Sequence, residues 1–252
     1  DECHHISAVS FEQVLRQVKA QFVTGLTATP QRKDGHHPII VMQCGPIRFR
    51  ADAKAQALAR PFQHIVVPRL TEFRLPALEE NPGFHKIYAA LSADKVRNDL
   101  ICMDLLRAVK AGRSPILLTE RTSQVEEFAA RLVGLVKNIV VLKGGMGVKQ
   151  RRAIAEQLAA IPGSEGRILL ATGRYIGEGF DDARLDTLFL ALPISWHGTL
   201  QQYVGRLHRL HDSKREVIVY DYVDGSVPML CKMYEKRVRG YSAVGYTIQD
   251  DH

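Results

Sequence analysis

The 252-residue sequence is sparing with cysteine: it has four, Cys3, Cys44, Cys102 and Cys231, and no C-x-x-C pair. Spacings that wide point away from a disulfide-stapled fold and from a clustered zinc site, and they suit a reducing compartment. Apolar runs such as Ile116–Thr119 and Thr187–Ile194 fall far short of the ~20 residues a membrane-spanning helix needs. No basic-then-apolar leader opens the chain. The expectation from these shortages is a cytoplasmic protein. Acidic side chains are outnumbered, 27 against 34 basic ones, leaving a net charge of +7. That surplus suits a polyanion such as nucleic acid without naming one. Tryptophan is nearly absent: Trp196 is the single one, and a lone aromatic beside apolar runs packs in a core more often than it stacks on a base.

What is present is a repeating pattern. The apolar runs PILLTE (115–120), NIVVLK (138–143), RILLAT (167–172), DTLFLALP (186–193) and REVIVYDY (215–222) predict strands buried on both faces. Such strands belong to a parallel sheet covered by helices on each side. Helical spacing follows in residues 123–136, 149–161, 198–210 and 227–239, and residues 86–111 predict one or two more helices. Ligands on such sheets sit at the C-terminal ends of the strands. Upstream, FVTGLTATP (22–30) reads as a strand running into a polar turn, and the proline-rich stretch from Arg60 to Asn81 as an extended connection.

Four short stretches carry chemistry, and each has a bland alternative. Asp1-Glu2 can divide the labour of phosphoryl transfer, one carboxylate for Mg²⁺ and one to orient water; it can equally be an acidic cap. Thr24–Pro30 places hydroxyls at a sheet edge, or is only a threonine-rich turn closed by proline. In RILLATGRYIGEGFDDARLD (167–186) a strand enters a glycine-studded loop, which can cradle an anion or simply turn tightly. In LQQYVGRLHRL (200–210) Gln202, Arg206 and Arg209 share one helical face, as phosphate-facing cations or as a solvated basic stripe. Cys3, His4 and His5 are three consecutive residues and do not converge on one ion.

Taken in order, DECHH, GLTATP, IGEGFD and QYVGRLHR resemble motifs two, three, five and six of superfamily-two DEAD/DEAH-type helicases. The resemblance runs from Asp1 to about Tyr222 and is nearest to the branch of type III restriction subunits and XPB-type translocases. It implies a RecA-like (P-loop NTPase type) α/β fold, a parallel sheet flanked by helices, preceded by a partial remnant of another RecA-like domain. The expected division is a remnant over 1–59, an interdomain linker over 60–85 and the second RecA-like domain over 86–252. The chain would then start at the Walker B motif of a longer protein.

By position, the resemblance makes Asp1 the Mg²⁺ ligand, Glu2 the catalytic base, and Arg206 and Arg209 the groups facing the γ-phosphate. Gly179, Asp181 and Gln202 would meet ATP, while His4, Thr27 and Thr29 would couple its hydrolysis to movement. LLTERTSQ (117–124) looks like motif four, so Thr119, Arg121 and Thr172 would face a nucleic-acid backbone. In KGGMGVKQRR (143–152) Lys143 and Gly145 would do the same, unless that string is only a glycine-capped turn.

Two departures stand out. The Thr172-to-Gly179 loop is one residue longer than the DEAD-box pattern, and no G-x-x-x-x-G-K-[ST] occurs; AGRSP (111–115) has Arg for Lys and Pro after Ser. Without that loop the chain alone should be inactive. The function expected is therefore part of an ATP-dependent helicase or translocase acting with Mg²⁺ on DNA. A nuclease or methyltransferase module or subunit would be a fitting partner. The alternative is a non-catalytic RecA-like module that binds nucleic acid or protein.

Overall fold

The computed structural model describes residues 2–27, 30, 35, 37–75, 83–173, 175, 180, 182–194, 197–212 and 214–249. Asp1, Thr29, Gly179, Asp181 and Trp196 lie outside them. The chain divides into two compact units, Asp1–Asp52 and Ala53–His252.

The first unit holds a 3-10 turn (Cys3–Ser7) and helices α1 (Val9–Gln17) and α2 (His37–Cys44). Phe22–Thr27 form no strand, contrary to expectation. A strand exists through its ladder, and here one rung is made, the Cys3 N–H donating to the Leu26 carbonyl at 2.9 Å. Cys3 and Ile40 are buried, whereas Phe11, Val14, Phe22 and Met42 are exposed.

The second unit runs α3 (Ala53–Leu58), β1 (Gln63–Leu70), α4 (Phe84–Ala93), α5 (Lys95–Lys110), β2 (Pro115–Thr119), α6 (Thr122–Leu132), β3 (Asn138–Leu142) and α7 (Val148–Ala160). It continues with β4 (Arg167–Thr172), β5 (Thr187–Leu190), α8 (His197–Leu207), β6 (Glu216–Val223), α9 (Pro228–Ala243) and β7 (Thr247–Ile248). Among the described residues the seven strands of the sheet are all parallel, in the order β3-β4-β2-β5-β6-β1-β7. The five strands expected from the apolar runs are all present.

The alternation of side chains explains the layers. Ile116, Leu118, Leu169, Ala171, Leu188 and Leu190 point to one face, where they meet Ile154 of α7 and Leu200, Val204 and Leu207 of α8. Leu117, Ile168, Leu170 and Phe189 point to the other, against Ile101 and Leu105 of α5 and Val125, Phe128 and Leu132 of α6. Each fully buried Leu contributes about 1.5–3 kcal/mol relative to exposure, so both faces of β2 and β4 must be apolar. The segment 86–111 resolves as two helices because the Asp94 carboxylate accepts the Arg97 N–H at 2.7 Å, capping α5 where α4 ends.

The stretch read as a linker, 60–85, contains β1, which pairs with β6 along its whole length, from Gln63↔Glu216 to Leu70↔Val223. It is a sheet strand of the second unit. Pro68 sits inside this strand, and the ladder to β7 involves only Ile65 and Val66. Pro68 therefore owes no N–H on that side. No described helix is long and apolar enough to cross a membrane.

Candidate functional site

In the first unit, His4 is the hub. Its Nδ1 lies 2.9 Å from the Thr27 hydroxyl and 3.1 Å from a Glu2 carboxylate oxygen. The Nδ1 is within hydrogen-bonding distance of the Thr27 hydroxyl, the tautomer deciding which of the two donates, and within ion-pairing distance of Glu2. Glu2 and Thr27 are thus joined through one imidazole. Glu2 holds φ 51° and ψ 42°, and among the described non-glycine residues it alone has positive φ. An L-residue in that conformation costs roughly 1–2 kcal/mol, and such strain is concentrated where function demands a fixed geometry.

In the second unit, register gathers the residues expected to meet nucleic acid. β4 lies between β3 and β2, with Thr119 opposite Thr172 and Leu142 opposite Ala171. Thr119, Thr172 and the Lys143–Gly145 loop consequently share the C-terminal edge of three adjacent strands. The two threonines are committed within the fold. Thr172, 7% exposed, accepts the Gly144 N–H at 2.8 Å. Thr119, 3% exposed, donates to Gln124 Oε1 and accepts the Arg121 N–H at 3.2 Å. Gln124 in turn donates to Asn98 at 3.2 Å, and Asn98 to the Ser92 carbonyl at 2.9 Å. This buried polar chain fixes the backbone where Arg121 leaves the sheet.

The Arg121 guanidinium donates to the His85 carbonyl at 3.1 Å, and Lys143 to Glu126 at 2.6 Å. Both cations remain near the sheet edge. Gly145 has φ +81°, which only glycine adopts without strain.

Gln202 and Arg206 sit four residues apart on α8, both half-buried. Arg209 is not on that helical face, because α8 ends at Leu207. The buried Lys214 ammonium donates to the Leu207 and Arg209 carbonyls, each at 2.8 Å, and ties off the helix there. Burial pushes the Lys214 pKa down to about 8.

Tyr203 and Glu120, which the motifs alone did not single out, belong to this region. A Cβ on Gly173 would stand 2.1 Å from the Tyr203 hydroxyl and 2.8 Å from a Glu120 carboxylate oxygen. Gly173 therefore lets α8 close on the chain immediately after β4. Burial raises the Tyr203 pKa, and the nearby Glu120 raises it further; burial also raises that of Glu120. Tyr203 lies three residues after Leu200 and four before Leu207, so helical spacing could have placed it on the buried face.

Residues 1–32 match the family described as type III restriction enzyme, res subunit. Over 259 residues the chain is 26% identical to putative helicase 161L of Invertebrate iridescent virus 6, covering 99% of this chain and 56% of that protein. Uncharacterized protein 108L of Invertebrate iridescent virus 3 is 37% identical over 101 residues, 40% of this chain and 89% of that one; the two are members of one family. The chain spans about half the length of the curated relatives it matches. Among solved structures, T4 UvsW superposes with a TM-score of 0.60 at 14% identity, over 86% of this chain and 45% of that one. The parallel, helix-flanked sheet is thus the RecA-like fold. Fold, motif order and relatives agree in their likeness to the superfamily-two helicases.

Proposed function

We propose that this chain is the later portion of an ATP-dependent helicase or translocase that moves along DNA, in the branch of type III restriction subunits and XPB-type translocases. Residues 1–52 would be the end of a first RecA-like domain, and the unit from Ala53 onward the second. The exposed Phe11, Val14, Phe22 and Met42 support the first assignment. The observation that carries the reading is the contact of His4 with both Glu2 and Thr27, since coupling needs the water-orienting carboxylate and the TAT segment to sense one another.

The donor set of the acidic pair suits magnesium. Carboxylate oxygens are hard ligands of the kind Mg²⁺ takes, and the His4 Nδ1 beside them lies 2.9 Å from the Thr27 hydroxyl and 3.1 Å from Glu2. Asp1 would hold the ion, and Mg²⁺-ATP supplies the γ-phosphoryl group that is transferred. Glu2 orients the attacking water and accepts its proton. Arg206 and Arg209 neutralise phosphate charge, and Gln202, Gly179 and Asp181 hold the nucleotide. His4, with Thr27 and Thr29, relays the state of that site. On the sheet edge, Arg121, Lys143 and the amides around Gly145 face the DNA backbone, while Thr119 and Thr172 fix the loops that carry them.

The test is Mg²⁺-dependent ATP hydrolysis, measured on the 252-residue chain and on the complete polypeptide that contains it. The chain alone should show none, lacking G-x-x-x-x-G-K-[ST], whereas the complete protein should show turnover that DNA stimulates and Glu2→Gln abolishes. DNA binding without turnover by the complete protein would favour a non-catalytic binding module. Turnover by the isolated chain that Glu2→Gln removes would contradict the predicted inactivity.

A further inference from the structure

Cys3 and Cys44 are far apart in the sequence, yet their thiols meet across Gly25. A methyl group placed on Gly25 would stand 2.9 Å from each sulfur and 3.1 Å from the Cys44 Cβ. Two atoms that near to one point are separated by no more than twice that distance. Both thiols are unoxidised; Cys3 is buried in the 3-10 turn, and Cys44 is half-buried at the last residue of α2. Glycine at position 25 leaves no side chain between them, and the chain turns away at once through Gly45, whose φ is +78°.

We propose that Cys3 and Cys44 form a redox modification site that closes to an internal disulfide, with a low-molecular-weight disulfide such as glutathione disulfide as the oxidant. The accessible Cys44 sulfur attacks one sulfur of the oxidant, forming a mixed disulfide and releasing one glutathione. The Cys3 sulfur then attacks the Cys44 sulfur, forming the Cys3–Cys44 bond and expelling the second glutathione. The two thiol protons leave on the two glutathione molecules. Two protein sulfurs are oxidised, and one glutathione disulfide is reduced. The bond would staple the turn that carries Glu2 and His4 to α2. The proposal does not depend on the helicase reading. Cys102, in α5, and Cys231, whose thiol donates to the Gly225 carbonyl, act as internal controls.

The chain is equilibrated in glutathione buffers of graded reduced-to-oxidised ratio, remaining thiols are blocked with N-ethylmaleimide, and tryptic peptides are read by mass spectrometry. The expected product links the peptide Asp1–Arg16 to the peptide Asp34–Arg48, with Cys102 and Cys231 alkylated. Because the fold holds the thiols together, half-closure should need a ratio at least about tenfold less oxidising in buffer than in urea. Cys44→Ser should abolish the link and leave Cys3 alkylated. The proposal is overturned if both cysteines stay alkylated under oxidising ratios, if Cys44 stops at the glutathione adduct, if Cys102 or Cys231 is the partner, or if urea makes no difference.

Discussion

The Thr172 hydroxyl accepts the Gly144 amide proton at 2.8 Å, tying the end of β4 to the loop that leaves β3. Thr172→Val keeps the shape and removes the acceptor. The expected cost is about 1 kcal/mol of stability, with weaker DNA binding because the Lys143–Gly145 loop loses its anchor. Thr172→Ser should retain both properties. Urea unfolding and a DNA titration on the three proteins check this, and equal loss in the Ser and Val variants would contradict it.

Lys143 and Arg121 flank that loop from β3 and β2. If each meets a phosphate, Lys143→Ala and Arg121→Ala should weaken binding to unrelated DNA sequences alike. Each should also lower the slope of log affinity against log salt by about one. Titrations at several salt concentrations measure the slope. Unchanged slopes with unchanged affinity would remove this edge from the interface.

Gly173 has no room for a side chain, since its Cβ would meet the Tyr203 hydroxyl at 2.1 Å. Gly173→Ala should cost about 1–3 kcal/mol through overpacking. Tyr203→Phe takes away the nearest atom in the way and leaves the Glu120 carboxylate oxygen at 2.8 Å, so the double variant should recover part of the loss. Recovery stays incomplete because the Tyr203 Cζ would still lie 3.2 Å off. Thermal or urea denaturation of all four proteins gives the coupling, and strictly additive effects would show that the two residues do not oppose one another.

His208 follows α8 and lies 3.1 Å from the Tyr246 hydroxyl through Nε2, edge-to-face with His64 of β1. Burial, then the His64, Arg60 and Lys214 charges, push its pKa down from 6.5 to about 4, and His64 is lowered too. The unfolded chain therefore binds a proton near pH 6.5 that the folded chain refuses until about pH 4. Stability should fall as pH drops through that window, by up to about 3 kcal/mol for His208, and level off below it. His208→Gln should flatten the profile of urea midpoint against pH between 4 and 6.5. A variant as steep as the parent would place the proton uptake elsewhere.

Much of the sheet could be read in advance because β2, β4 and β5 are apolar on both faces, a demand that only doubly covered strands make. β1 escaped because Pro68 interrupts it, and nothing in QHIVVPRL tells that β7 stops pairing at Val66. Phe22–Thr27 misled in the other direction, since an apolar run becomes a strand only when neighbours supply a ladder. At the site, the grouping of Glu2, His4 and Thr27 came from the family resemblance and not from any local pattern. The meetings of Gly173 with Tyr203 and of Cys3 with Cys44 arise from how helices pack on what lies far along the chain, and no local pattern encodes that distance.

The pairing of β1 with β6 also has a bearing on how the protein is made. Gln63 finds Glu216 about 150 residues later in the chain. At roughly 5–20 residues per second, synthesis leaves β1 without its companion for on the order of 8 to 30 seconds. Its Ile65, Val66 and Val67 must stay unaggregated through that wait, so the ribosome-bound nascent chain is where a chaperone would matter most to this fold.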